Sequence, residues 1–155
     1  MLADAWAIFR KDLRIERRSR ELLFSVVAFG VLATVLYSLS FFIDDDRTRA
    51  YTPGILWVTV LYAGSLALGR LFDSERENDC LGGLLLSPAD PRGLYLGKVF
   101  TLLLAMGIME AITVPLILLF FDMFKLLDGT AIALATLALA LGTTGFAVVG
   151  TLFAA

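Results

Sequence analysis

The sequence predicts an all-α membrane protein, a polytopic bundle of helices. Three observations predict it. Apolar residues make up 59% of the 155-residue chain and charged residues only 18%, below the quarter or so expected of a soluble domain, and the mean hydropathy is +0.83. Four apolar runs, at about 22–43, 53–72, 99–121 and 129–155, each have the length a helix needs to cross a bilayer, about 20 residues at 1.5 Å rise for ~30 Å of hydrocarbon. The charges, finally, are sorted between the two ends of these runs. Backbone amides and carbonyls find no water in hydrocarbon, so each run is read as a helix that satisfies its own hydrogen bonds.

Residues 2–20 come first and differ from the spans. Leu2, Trp6, Phe9 and Leu13 recur at steps of three and four, with Arg10, Lys11, Arg14, Arg17 and Arg18 over much of the remainder. An apolar stripe opposite a basic face suits a helix lying in the headgroup layer, with Trp6 at the interface. The plainer alternative is a basic flank that happens to be helical. The first span is too long for the apolar core of a signal peptide and has no clear small-x-small cleavage site.

Charge then orients the spans. Ten basic residues, Arg10, Lys11, Arg14, Arg17, Arg18, Arg20, Arg70, Arg76, Arg92 and Lys98, fall on one side; only Arg47, Arg49 and Lys125 fall on the other, beside Asp44, Asp45, Asp46, Asp122 and Asp128. The excess of basic residues predicts a cytoplasmic N-terminus and a cytoplasmic loop over 73–98.

That loop is more structured than an inert connection, which needs only a few polar residues. Asn78 or Asp79 can cap a short helix over Cys80 to Leu86, and Pro88 stops it. Asp90 can cap the next helix, with Pro91 at its first position, and that helix runs through Lys98 into the third span. The short helix exposes Leu81, Leu84 and Leu85. Either a partner covers them or they pack under the chain's own bundle.

The third span carries Glu110 near its middle, in "AMGIMEAITVP". A charge at mid-bilayer costs about 2.5–3.5 kcal/mol or more, so this group must face protein or water. It is read either as part of a transport pathway or subunit contact, or as a neutral carboxylic acid hydrogen-bonded to a neighbouring helix. Pro115 deprives the Ala111 carbonyl of its helical donor and is expected to bend the span. In the fourth span, Gly142, Thr143, Thr144, Gly145, Gly150 and Thr151 form a small-residue face suited to close helix packing, expected against further helices or another subunit.

A resemblance joins these elements. "TPGILWVTVLYAGSLALGRLF" (52–72), "ERE" (75–77), "LGGLLLSP" (81–88) and "LYLGK" (94–98), after the basic lead-in "FRKDLRIERRSRE" (9–21), resemble the ABC-2-type permeases and, more closely, the CcmB family, permease subunits of the haem exporter of cytochrome c maturation. The likeness covers nearly the whole chain, with one departure at "ENDC" (77–80), where a glycine is expected after the acidic pair. It implies a bacterial inner-membrane location and six membrane helices. Four are present and the chain ends inside an apolar run, "GTLFAA", so the expectation is one truncated permease domain over 1–155, with two further spans in the rest of a longer protein.

The resemblance also implies that residues 79–87 form a coupling helix seated in a groove of an ABC ATPase subunit. The residues implied in that contact are Glu75, Arg76, Glu77, Asp79, Leu81, Leu84, Leu85, Leu86 and Pro88. The chain contains no G-x-x-x-x-G-K-[ST] phosphate loop, so ATP is expected on the separate ATPase chain. The expectation is a non-catalytic subunit that binds no cofactor directly. Haem is expected to be handled by other membrane subunits of the maturation complex, and the remaining contacts to be with membrane lipid and not nucleic acid. No axial haem ligand is nominated. The chain has no histidine; Met106 and Met109 read as apolar fillers, and Cys80 lies on the coupling side.

Three function classes follow. One is the permease subunit of an ATP-driven complex that exports haem or releases a haem-loaded chaperone. The second is an ion-coupled secondary transporter using Glu110. The third is a non-transporting scaffold of an assembly complex. Copurification with an ATPase separates the first from the second, and ATP-dependent haem release separates it from the third. An intramembrane hydrolase would lack a histidine base, and no span carries paired aspartates.

Overall fold

The computed structural model describes residues 2–40, 45–76, 91–123 and 128–154. The elements in chain order are α1 (Leu2–Ser19), α2 (Glu21–Ser40), α3 (Asp45–Arg76), α4 (Pro91–Phe120) and α5 (Gly129–Ala154). Among the described residues there is no strand. Four helices, α2 to α5, carry segments long and apolar enough to cross a membrane. The chain is an all-helical, multi-pass membrane protein.

α1 is set off from α2 by a single residue. Arg20 has φ 57°, the left-handed conformation that costs a non-glycine residue about 1–2 kcal/mol. Its amide donates to the Glu16 carbonyl at 2.7 Å, and its own carbonyl accepts from the Phe24 amide at 3.0 Å. The Glu16 side chain reaches across the corner, where Oε1 accepts the Leu23 amide at 2.9 Å. One of the four amides that a helix start leaves unpaired is thereby satisfied. α1 therefore ends in a capped elbow, and the first span starts immediately beyond it.

α4 is the centre of the bundle, in contact with α1, α2, α3 and α5, while α5 leans on α3 and α4. Its buried positions Val99, Leu102, Ala105, Met106 and Met109 follow helical spacing. They meet Leu22 and Val26 of α2, Val60, Ala63, Ala67 and Leu71 of α3, and Ala147 of α5. Met106 and Met109 are fully buried in this core. A second, smaller cluster of Ile55, Ile117 and Phe121, with Tyr37 against it, closes the opposite end.

Helices extend past the ends of the spans drawn on the sequence. α3 begins at Asp45, eight residues before Pro53, which sits inside the helix. Proline removes one donor but leaves its own φ helical, and neighbouring turns carry the helix through. At its other end α3 continues through Arg76, so Glu75 and Arg76 lie in its last turn and the linker narrows to 77–90. Pro115 likewise sits inside α4, which runs unbroken to Phe120.

Much of the small-residue face of α5 packs within this chain. Thr143, Ala147 and Thr151 are buried. A Cβ added at Gly142 would run into the Trp57 ring of α3, and one at Gly150 would lie 2.6 Å from Leu68 Cδ1. Only Thr144 and Gly145 of the set face outward. The reason is steric: a stripe without bulk lets a helix lie against the large side chains Trp57 and Leu68 already present on α3.

Candidate functional site

The first two turns of α4 hold a cluster of polar and close contacts. They fall on the string Leu94-Tyr95-Leu96-Gly97-Lys98, which begins at the fourth residue of α4, just past the end of the 77–90 linker. Between them, three residues of the string engage three other elements.

Lys98 is almost fully buried at 2% exposure. Its Nζ lies 3.2 Å from Asp12 Oδ2 of α1 and stands 5.8 Å over the centre of the Phe72 ring near the end of α3. Asp12 is buried too. Its other oxygen, Oδ1, is 3.2 Å from Nζ of the half-exposed Lys11. Thr101, one turn along α4, donates to the Gly97 carbonyl at 3.1 Å and approaches Asp12 Oδ2 at 3.4 Å. A buried ion pair loses much of its attraction to desolvation unless further partners satisfy its remaining atoms. Thr101, Lys11 and the Phe72 face supply them here.

Gly97 sets the distance at which this pair forms. A Cβ there would lie 2.8 Å from Ile8 Cγ2 and 3.0 Å from the Ala5 carbonyl oxygen. The bare backbone lets α1 lie close enough for Asp12 to reach Lys98. Tyr95 makes the third attachment, its hydroxyl donating to the Val148 carbonyl of α5 at 2.7 Å. Within two turns of leaving the linker, α4 is thus tied to α1, α3 and α5.

A cavity of about 90 Å³ lies beside this junction, under the α1–α2 elbow, with Asp12, Glu16, Leu22, Arg70 and Thr101 among its walls. A second polar contact lies deeper in the membrane. Thr143 of α5 donates its hydroxyl proton to Glu110 Oε1 of α4. Glu110 is partly buried at the α4–α5 seam, with Thr143 beneath it.

The residues singled out on the sequence distribute unevenly over this geometry. Glu75 and Arg76 end α3 at the same end of the bundle as the junction. Glu77, Asp79, Leu81, Leu84, Leu85, Leu86 and Pro88, with the short helix expected over 79–87, lie outside the described residues. Glu110 has a partner on a neighbouring helix, the contact that its structural reading requires. Sequence reasoning missed Asp12, Tyr95, Gly97 and Thr101 as members of a site. A signal existed for Asp12, the one acidic residue between Arg10, Lys11 and Arg14. No periodicity could have paired it with Lys98, 86 positions away.

Comparison with known proteins places this geometry in a family. The family model described as CcmB protein matches residues 3–155. Among curated relatives, Heme exporter protein B of Escherichia coli (strain K12) is 32% identical over 94 residues, covering 61% of this chain and 43% of that protein. Heme exporter protein B of Pseudomonas aeruginosa is 30% identical over 139 residues, 90% of this chain and 60% of the relative. That of Paracoccus denitrificans is 27% identical over 149 residues, 96% of this chain and 66% of the relative. The chain therefore spans less than two thirds of the length of these relatives. No solved structure matches it significantly. With a match that runs from the start of α1 to the last residue and takes in the whole α4 junction, the chain belongs to the CcmB protein family.

Proposed function

We propose that this chain is the membrane permease part of an ABC-type haem exporter of cytochrome c maturation, in a bacterial inner membrane, with the N-terminus and the 77–90 linker in the cytoplasm. A separate ATPase subunit hydrolyses ATP, other membrane subunits handle the haem, and the linker carries motion between ATPase and membrane helices. The observation that carries the reading is the family match over 3–155, with relatives named Heme exporter protein B. The junction supports the coupling part of it. The linker joins α3 to α4, so a push on it reaches both, and the Asp12–Lys98 pair, the Phe72 contact and the Tyr95 hydrogen bond connect α4 to α1, α3 and α5.

The test is docking. Leu84→Asp and Leu85→Asp each put a carboxylate where an apolar groove on the ATPase is expected. Burying an unpaired charge costs several kcal/mol, a loss of about a hundredfold or more in affinity. Both changes lie between the spans, so membrane levels should stay normal while the ATPase disappears from pull-downs and cytochrome c maturation fails. Retention of the ATPase by both variants at wild-type levels would remove the linker as the docking element and favour a scaffold.

A further inference from the structure

The elbow between α1 and α2 opens outward as a groove of about 820 Å³. Its apolar wall is Phe24, Ala28, Val31 and Leu32 of α2, and Arg17 and Arg20 of α1 and the elbow stand at its head. The wall descends eight residues, about 12 Å at helical rise, close to the ~15 Å of one hydrocarbon leaflet. It faces away from the bundle: Phe24 is 74% exposed and Leu32 63%. Val27, Ala28 and Val31 are half-buried, so the surface is a trough with a floor and not a ridge.

The polar head of the groove is specific in sign. Arg17 and Arg20 are exposed, and neither forms an ion pair among the described residues. The one acidic group on the lining, Glu16, turns its Oε1 to the Leu23 amide at 2.9 Å. Arg20 is held at the corner by its left-handed backbone. Two guanidinium groups at headgroup level above an acyl-length trough match one class of molecule. A neutral lipid would leave the arginines unused, and a small soluble anion would leave the trough empty.

We infer that the α1–α2 elbow is a binding site for one anionic phospholipid of the leaflet in which α1 lies. Its phosphate is held by Arg17 and Arg20, and one acyl chain lies along α2. The site does not depend on what the complex transports. By filling the angle between the interfacial helix and the first span, the lipid braces the same α1 that Asp12 ties to α4.

The full-length protein, purified in detergent and delipidated, is titrated with phosphatidylglycerol and with phosphatidylcholine of the same acyl chains, and bound lipid is counted by native mass spectrometry. Phosphatidylglycerol should bind about tenfold tighter or better, given the contribution of each basic residue at a charged lipid surface. Arg17→Gln combined with Arg20→Gln should abolish the preference. Arg10→Gln combined with Arg18→Gln, equal in charge but off the groove, should keep it. Ala28→Phe, which fills the trough and touches no charge, should weaken both lipids; it carries the test should the double arginine variant fail to fold. Glycerol phosphate in excess should not displace the lipid. Equal binding of the two lipids, an equal loss in the off-groove pair, unchanged binding in Ala28→Phe, or displacement by glycerol phosphate would each overturn the site.

Discussion

Asp12 and Lys98 are the residues on which the junction turns, because both are buried and their charged groups lie 3.2 Å apart. Removing one leaves the other buried charge without its buried counter-ion, which costs up to about 3–5 kcal/mol. Asp12→Asn or Lys98→Met should therefore lower the melting temperature of the detergent-solubilised protein sharply. The double variant should recover part of the loss, since no buried charge is left over. Additive losses would mean that the two side chains are not coupled. Lys11 contributes less, because its side chain is 44% exposed and its charge is screened by water. Glu110 is a different case. Its oxygen accepts from Thr143, and a glutamine carbonyl can do the same. Glu110→Gln should keep the complex assembled and active in a haem-release assay. Thr143→Val should cost about 0.6 kcal/mol and at most about 1.7, the range of hydrogen bonds between membrane helices. A large activity loss in Glu110→Gln with normal assembly would give this carboxylate a transport role instead.

At the scale of elements, the contact that matters most is α1 on α4, and Gly97 permits it. Gly97→Val would drive its side chain into Ile8 and the backbone of Ala5, and a backbone atom cannot rotate away. Overpacking of this kind costs about 1–3 kcal/mol. The expected result is a loosened α1, read as faster tryptic cleavage at the Arg14–Arg18 cluster. Gly107→Val, where a Cβ meets nothing within 4 Å, is the control and should leave cleavage unchanged. The apolar stripe of α1 shows how far such an element could be read beforehand. Leu2, Trp6, Phe9 and Leu13 form it on the sequence, yet the positions buried against the bundle are Ala5, Ile8 and Asp12, and Trp6 is 63% exposed. Trp6 is left exposed, Phe9 turns its ring against Phe100 of α4, and Ala5 and Ile8 face inward where the bare backbone of Gly97 lets α4 come close.

At the scale of the whole molecule, α1, the end of α3 and the start of α4 share one end of the bundle, joined through Asp12, Phe72 and Lys98. The basic residues cluster at that end. If the excess of positive charge marks the cytoplasm, a membrane-impermeant thiol reagent should spare Cys80 in right-side-out cells and reach it in inverted vesicles of a strain lacking the ATPase. Labelling from outside would reverse the topology and end the coupling role of the linker. The all-helical class and the four spans were legible in the order of residues, because hydrocarbon thickness and backbone hydrogen bonding leave a long apolar run few alternatives; the family was legible only through the resemblance of particular strings. The family resemblance also marked "LYLGK" as notable. It could not say what that string does, since Tyr95 meets Val148 and Lys98 meets Asp12 across 53 and 86 positions. Pairings at such separation are decided by how helices pack. Tertiary structure likewise decided that the small-residue stripe of α5 serves Trp57 and Leu68 of its own chain, and that an elbow at Arg20 opens a groove beneath two arginines. A stripe states that a helix can be approached closely; only the arrangement of its neighbours states by which one.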